Sequence, residues 1–150
     1  MNQEELIDIV SQRIRLIRLE KEFSQEEMSK ILGISKKTLI QIEKGRAVAS
    51  WNVVVTCVAF FEQSEILQNG LGEDSLEVVR LVTFNHIEEP VMKTLGGKIW
   101  WKEVERRKEF RLQQNVVTQH FRIIDDSNYR WFSSFELEEA MLHLKYLEKK

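Results

Sequence analysis

Cysteine is nearly absent from this chain of 150 residues: Cys57 is the only one, so no intrachain disulfide can form. Set among Val and Phe, it reads as a small buried hydrophobe in a reducing compartment rather than as a redox sensor. Long apolar runs are missing too. The longest, Val53 to Phe61, is broken by Thr56 and falls far below the about 20 residues that a membrane-spanning helix needs. The first ten residues, MNQEELIDIV, are acidic and polar at the front, unlike a secretory signal. A soluble, cytoplasmic protein is the expectation. Nor is there an excess of positive charge, since 22 basic residues face 24 acidic ones for a formal net of -2.

The usual marks of catalysis are lacking as well. No Gly-rich phosphate loop and no serine elbow occur, and His86, His120 and His143 lie far apart without partners at metal-ligand spacing. Asp125-Asp126 is a carboxylate pair, but Ser and Asn follow it, which is turn chemistry before it is acid-base chemistry. Trp100-Trp101 can offer a stacking platform, although paired tryptophans serve core or interface far more often. Neither an enzyme nor a cofactor is expected.

What is present is a local concentration of charge and punctuation. Between Lys30 and Arg46 stand Lys30, Lys36, Lys37, Lys44 and Arg46 against Glu43 alone. A basic stripe on a neutral body is the electrostatic footprint of phosphate contact. Ser24 followed by Glu27 has the capping-box spacing, so a helix starts at Gln25. Met28, Ile31 and Leu32 supply an apolar face, and Gly33 ends the run. A second start falls at Ser35, with Thr38 at the third position, Leu39 and Ile42 carrying the period and Gly45 closing it. Two short helices joined by a Gly-containing turn make a helix-turn-helix.

These residues resemble the DNA-binding domain of the phage repressor and Cro type, the Xre family of helix-turn-helix regulators. The family pattern is met by Ser24, Gln25, Glu26, Glu27, Met28, Leu32, Gly33, Ile34, Ser35, Thr38, Ile42, Glu43 and Gly45. Ser29 stands where the family usually has Ala, and Ala49 where a Pro commonly precedes the next helix; Ser50 still offers an N-cap there. The resemblance covers roughly residues 6 to 62 and is silent on the remainder. It implies a recognition helix, Lys36 to Lys44, in the major groove, with Lys36, Lys37 and Gln41 reading bases. Lys36 and Lys37 can equally serve as non-specific phosphate contacts. With Leu39 and Ile42 inward, Ile40 and Lys44 also face out, and Ile40 can touch a thymine methyl. Gln25 falls at the family's phosphate-anchoring position, at a helix N-terminus that itself attracts anions; Lys30, Lys44 and Arg46 would add phosphate contacts. The resemblance also implies an ion pair between Arg18 and Glu43.

Around this core, Leu6, Ile7, Val10, Ile14, Ile17 and Leu19 predict one helix from Glu4 to Glu20. Trp51 to about Glu62 predicts another, apolar nearly all round, whose outer face needs a cover from the second half of the chain or another subunit. Asn69, Gly70 and Gly72 predict a loop, and Ser75 to His86 a helix by the shared face of Leu76, Val79, Val82 and Thr83. Pro90 and Gly96-Gly97 punctuate the chain before its character changes. From Lys98 onward strands are predicted near Ile99 to Arg106, Phe110 to Gln114, Gln119 to Ile124 and Tyr129 to Ser133, with turns at 107–109 and 125–128. Phe110, Leu112, Phe121, Ile123, Tyr129 and Trp131 would share one face of the meander. Ser133 and Glu136 repeat the capping-box spacing before a final helix striped by Leu137, Ala140, Met141, Leu144 and Leu147.

The expected fold class is α+β: an all-helical, lambda-repressor-like helix-turn-helix domain at residues 1–66, a partly helical connection at 67–97, and an antiparallel β-meander with a C-terminal helix at 98–150. The expected function is a sequence-specific, DNA-binding transcriptional regulator, acting on double-stranded DNA as a homodimer. The second half would dimerise, sense a small molecule or bind a protein. Two other classes stay open: the antitoxin of a toxin-antitoxin pair that represses its own operon, and a helix-turn-helix protein-interaction module without DNA affinity.

Overall fold

The computed structural model describes residues 1–88 and 99–150; Pro90 and Gly96-Gly97 lie outside the described residues. Asn2–Val79 form one compact unit and Arg80–Lys150 another.

The first unit is helical throughout. In place of one helix from Glu4 to Glu20 there are two, α1 (Gln3–Ser11) and α2 (Ile14–Glu20). The Arg13 N–H closes a tight turn on the Val10 carbonyl, and the Ser11 hydroxyl leaves the helical pattern to accept the Ala49 N–H at 2.9 Å. Apolar spacing runs on through the break, since Leu6, Val10, Ile14 and Ile17 are all buried; periodicity alone cannot reveal it. Asn2 and Glu5 form a reciprocal capping box at the start of α1.

Next come α3 (Gln25–Leu32), α4 (Lys36–Glu43) and α5 (Trp51–Phe60), each begun by a serine whose hydroxyl accepts a backbone N–H three residues on: Ser24 from Glu27, Ser35 from Thr38 and Ser50 from Val53. Each cap is worth about 1 kcal/mol. Gly33 ends α3 at φ 70°, in the left-handed region where a Cβ is costly. Met28, Leu32, Leu39, Ile42, Val53, Val54, Cys57 and Val58 close the core with the buried residues of α1 and α2. On the outer side of α5, Phe60 is 65% exposed.

Asn69 and Gly70 do not form a loop. They lie inside α6 (Glu65–Leu71), which Ser64 caps and Gly72 terminates at φ 82°. A Cβ at Gly70 would run into the far end of the Arg13 side chain at Nε, which would have to move aside. Arg13 in turn donates from Nη1 to the Ile9 carbonyl at 2.9 Å. A Gly70→Ala change should therefore not stabilise the protein, because displacing Arg13 offsets the about 1 kcal/mol of helix propensity gained. In an Arg13→Ala background the same change should stabilise by about 1 kcal/mol in urea denaturation. Equal effects in both backgrounds would contradict the packing. Helix α7 (Ser75–Phe84) follows, as the shared apolar face predicts.

In the second unit β1 (His86–Ile87), β2 (Trp101–Arg107), β3 (Phe110–Asn115), β4 (Phe121–Ile124) and β5 (Arg130–Ser134) form one sheet in the order β1-β5-β4-β3-β2, antiparallel at every junction. The predicted meander is β2 to β5, and the short β1 joins beside β5. Helix α8 (Leu137–Glu148) lays Ala140, Leu144 and Leu147 on Phe110, Leu112, Phe121, Ile123 and Phe132. Tyr129 and Trp131 do not hold the central place predicted for them on that face. A bulge between Ile123 and Ile124 shifts the alternation, so that Phe132 pairs with Ile123 and fills the core. Tyr129 is exposed, and Trp131 packs only at the margin, its Nε1 donating to Asp125 Oδ2 at 2.9 Å. Asp125 also accepts the Ser127 and Tyr129 N–H groups, which is turn chemistry.

The capping box predicted at Ser133 and Glu136 is not formed. Ser133 is buried in β5, and it is Ser134 whose hydroxyl accepts the Glu136 N–H and donates to Glu139. Along β2, Lys102, Glu103, Glu105, Arg106 and Arg107 and a bulge between Glu103 and Glu105 guard the strand at the end of the sheet order. Such charge and irregularity oppose pairing with a further strand. Trp101 is buried with the Arg122 guanidinium 3.8 Å above its ring, and is core rather than a ligand platform. Among the described residues no helix is long and apolar enough to cross a membrane.

Candidate nucleic-acid interface

Helix α4 is fixed by two buried side chains, Leu39 and Ile42. At 3.6 residues per turn, anchoring those two inward turns the intervening positions out. Lys36, Lys37, Thr38 and Lys44 are exposed, and Ile40 and Gln41 half-buried. Arg46, two residues past the helix, is exposed too, as is Lys30 on α3. The Lys30 ammonium stands 4.0 Å from Glu26 Oε1, with both groups well exposed, an interaction worth under about 1 kcal/mol that leaves Lys30 available. Lys36, Lys37, Ile40 and Gln41 thus share one accessible surface with Lys44 and Arg46 at its trailing end.

That trailing end of α4 is held by charge. Arg18 Nε donates to Glu43 Oε1 at 2.7 Å, and Gln25 Nε2 donates to Glu43 Oε2 at 3.0 Å. Arg18 Nη1 also donates to the Phe23 carbonyl at 3.1 Å. The side chains of Arg18 and Glu43 are 13% and 4% exposed, so this is no surface pair. A carboxylate in the last turn of a helix opposes the helix dipole; the guanidinium neutralises it and ties α2, the turn before α3 and the end of α4 to one point. The side-chain amide of Gln25 is directed at Glu43. That bond, between residues 18 apart in sequence, has no periodic signature by which the sequence could announce it.

The exposed hydroxyl of Thr38 also belongs to this surface. Its oxygen accepts from Ser35 Oγ at 2.9 Å, which holds the side chain at the leading end of α4. The sequence marks Thr38 by its position after the cap and by its place in the Xre pattern, not as a surface contact.

Burial pushes the Cys57 thiol up to about 12, far from the range of a reactive thiolate. Among the described residues no group of three or more His, Cys, Asp or Glu can hold a metal ion. His86 and His143 do meet, in a groove of about 340 Å³ with Phe132, Leu142 and Tyr146. His143 stacks on Phe132 at 4.3 Å, and burial lowers its pKa below the ordinary histidine value.

No curated protein and no solved structure matches the chain. A family model does, over part of its length: residues 11–66, running from the end of α1 through α2, α3, α4 and α5 into α6, match the model described as a helix-turn-helix domain. That stretch contains Arg18, Gln25 and Glu43 as well as the whole accessible face of α4, and the N-terminal region of this chain is a helix-turn-helix domain.

Proposed function

We propose that the protein is a sequence-specific DNA-binding transcriptional regulator whose α4 enters the major groove. The observation that carries this reading is the accessible face of α4, on which Lys36, Lys37, Ile40 and Gln41 stand clear of Leu39 and Ile42. A helix of that width fits the groove, and residues at its leading end meet base edges. A lysine can donate to guanine O6 and N7, a glutamine amide can pair with adenine, and Ile40 can lie against a thymine methyl. Lys30, Lys44 and Arg46 contact phosphates, which position the domain without specifying sequence. One such domain covers few base pairs, so the protein acts as a two-fold dimer on half-sites roughly 34 Å apart.

Gln41→Ala should relax base preference at one position of the site, by about 1 to 3 kcal/mol, with non-specific affinity nearly unchanged. Arg46→Ala should weaken binding to every duplex and reduce the salt slope by about 1. Fluorescence-anisotropy titrations at several salt concentrations read both effects. An equal loss on all sequences for Gln41→Ala would remove it from the base readers, and an unchanged slope for Arg46→Ala would remove it from the phosphate contacts.

A further inference from the structure

We propose that Gln25 is a positioning residue for α4, acting through Glu43. The part of this concerning DNA rests on the reading of α4 as a groove reader. The amide nitrogen carries two N–H groups, of which one is committed to Glu43. Only the NH₂ of that amide can donate, since its carbonyl oxygen is an acceptor. The NH₂ nitrogen already lies 3.0 Å from Glu43 Oε2, while Arg18 serves Oε1. The Glu43 side chain is 4% exposed, so water is poorly placed to replace the amide, and a carboxylate oxygen buried without its donor is costly. A hydrogen bond to an ionised acceptor is also about twice as strong as one between neutral groups.

The location gives this bond its function. Gln25 is the first residue of α3, and Glu43 the last of α4. Between them the two helices are joined by Gly33, Ile34 and Ser35 and by the buried contacts of Met28, Leu32, Leu39 and Ile42. The core fixes how close the helices lie; the Gln25 bond fixes the end of α4 remote from the turn, and with it the tilt of α4. Base reading depends on that tilt, because bidentate pairing tolerates little displacement, whereas flexible lysine and arginine side chains follow a phosphate over a wider range. Loss of Gln25 therefore damages discrimination more than raw affinity.

The test is a double-substitution cycle with Gln25→Ala and Glu43→Ala, read on duplex affinity and on urea unfolding of the free protein. Where Glu43→Ala does not fold, the apolar replacement Arg18→Met with Glu43→Leu serves as the second background. Gln25→Ala alone should lower the ratio of affinities for a selected duplex over a random one about tenfold with an unchanged salt slope, and should shift the unfolding midpoint. In the second background it should change neither. Equal loss on every duplex that persists in both backgrounds, with additive unfolding, would overturn the proposal. If the unsubstituted protein binds no duplex, the DNA reading falls, and the unfolding arm alone decides the clamp: coupling supports it and additivity refutes it.

Discussion

Arg18→Met is expected to lower the free energy of unfolding by about 3 kcal/mol. Methionine keeps most of the apolar stem but removes the donors to Glu43 Oε1 and the Phe23 carbonyl. Glu43 would then keep one neutral donor, Gln25, for a charge whose side chain is 4% exposed. Removing one member of a buried pair costs far more than the pair is worth against an apolar replacement, because the survivor's charge is uncompensated. Arg18→Met with Glu43→Leu should accordingly recover much of the loss. Urea denaturation of the three variants measures this. A loss below about 1 kcal/mol for Arg18→Met would mean that the two charges behave as a solvated surface pair.

A change of similar size is expected in the second unit from Phe132→Ala, about 4 kcal/mol, against less than about 1 kcal/mol from Tyr129→Ala. Phe132 is 4% exposed and packs beneath α8, whereas Tyr129 is 40% exposed. Simple alternation along the strand ranks the two the other way, placing Tyr129 and Trp131 on the core face. The bulge opposite Arg130 and Phe132 reverses that order. Comparable losses for the two variants would mean that the register of β4 and β5 is not the one described here.

That reversal shows where sequence reasoning stops. Hydrophobic period and capping residues mark α3, α4 and α5 because those signals are local: a serine, a backbone N–H three residues on, and an apolar face repeating each turn. The strand positions of the meander were legible for the same reason, as aromatic and β-branched residues bounded by turn residues. What was not legible depends on partners distant in sequence. The break at Gln12 and Arg13 goes with Ser11 binding the Ala49 N–H, 38 residues away. Gly70 reads as a loop residue until Arg13 is seen lying where its Cβ would be. In the candidate site, the outward residues of α4 follow from Leu39 and Ile42 facing in, while the Gln25 bond to Glu43 has no local sign at all. The resemblance to the Xre family pointed to Arg18 and Glu43 as partners, and the two lie 2.7 Å apart.

The most direct test of α4 as a reader is the affinity of duplexes selected from a random pool, measured over a range of salt. Phosphate contacts from Lys30, Lys44 and Arg46 predict that log K falls with log salt at a slope of about −3 per domain. The selected duplexes should exceed random ones by at least about a thousandfold, an advantage that Lys36→Ala, Lys37→Ala and Gln41→Ala together should abolish. Weak association with every duplex alike, insensitive to salt and to those three substitutions, would contradict the account.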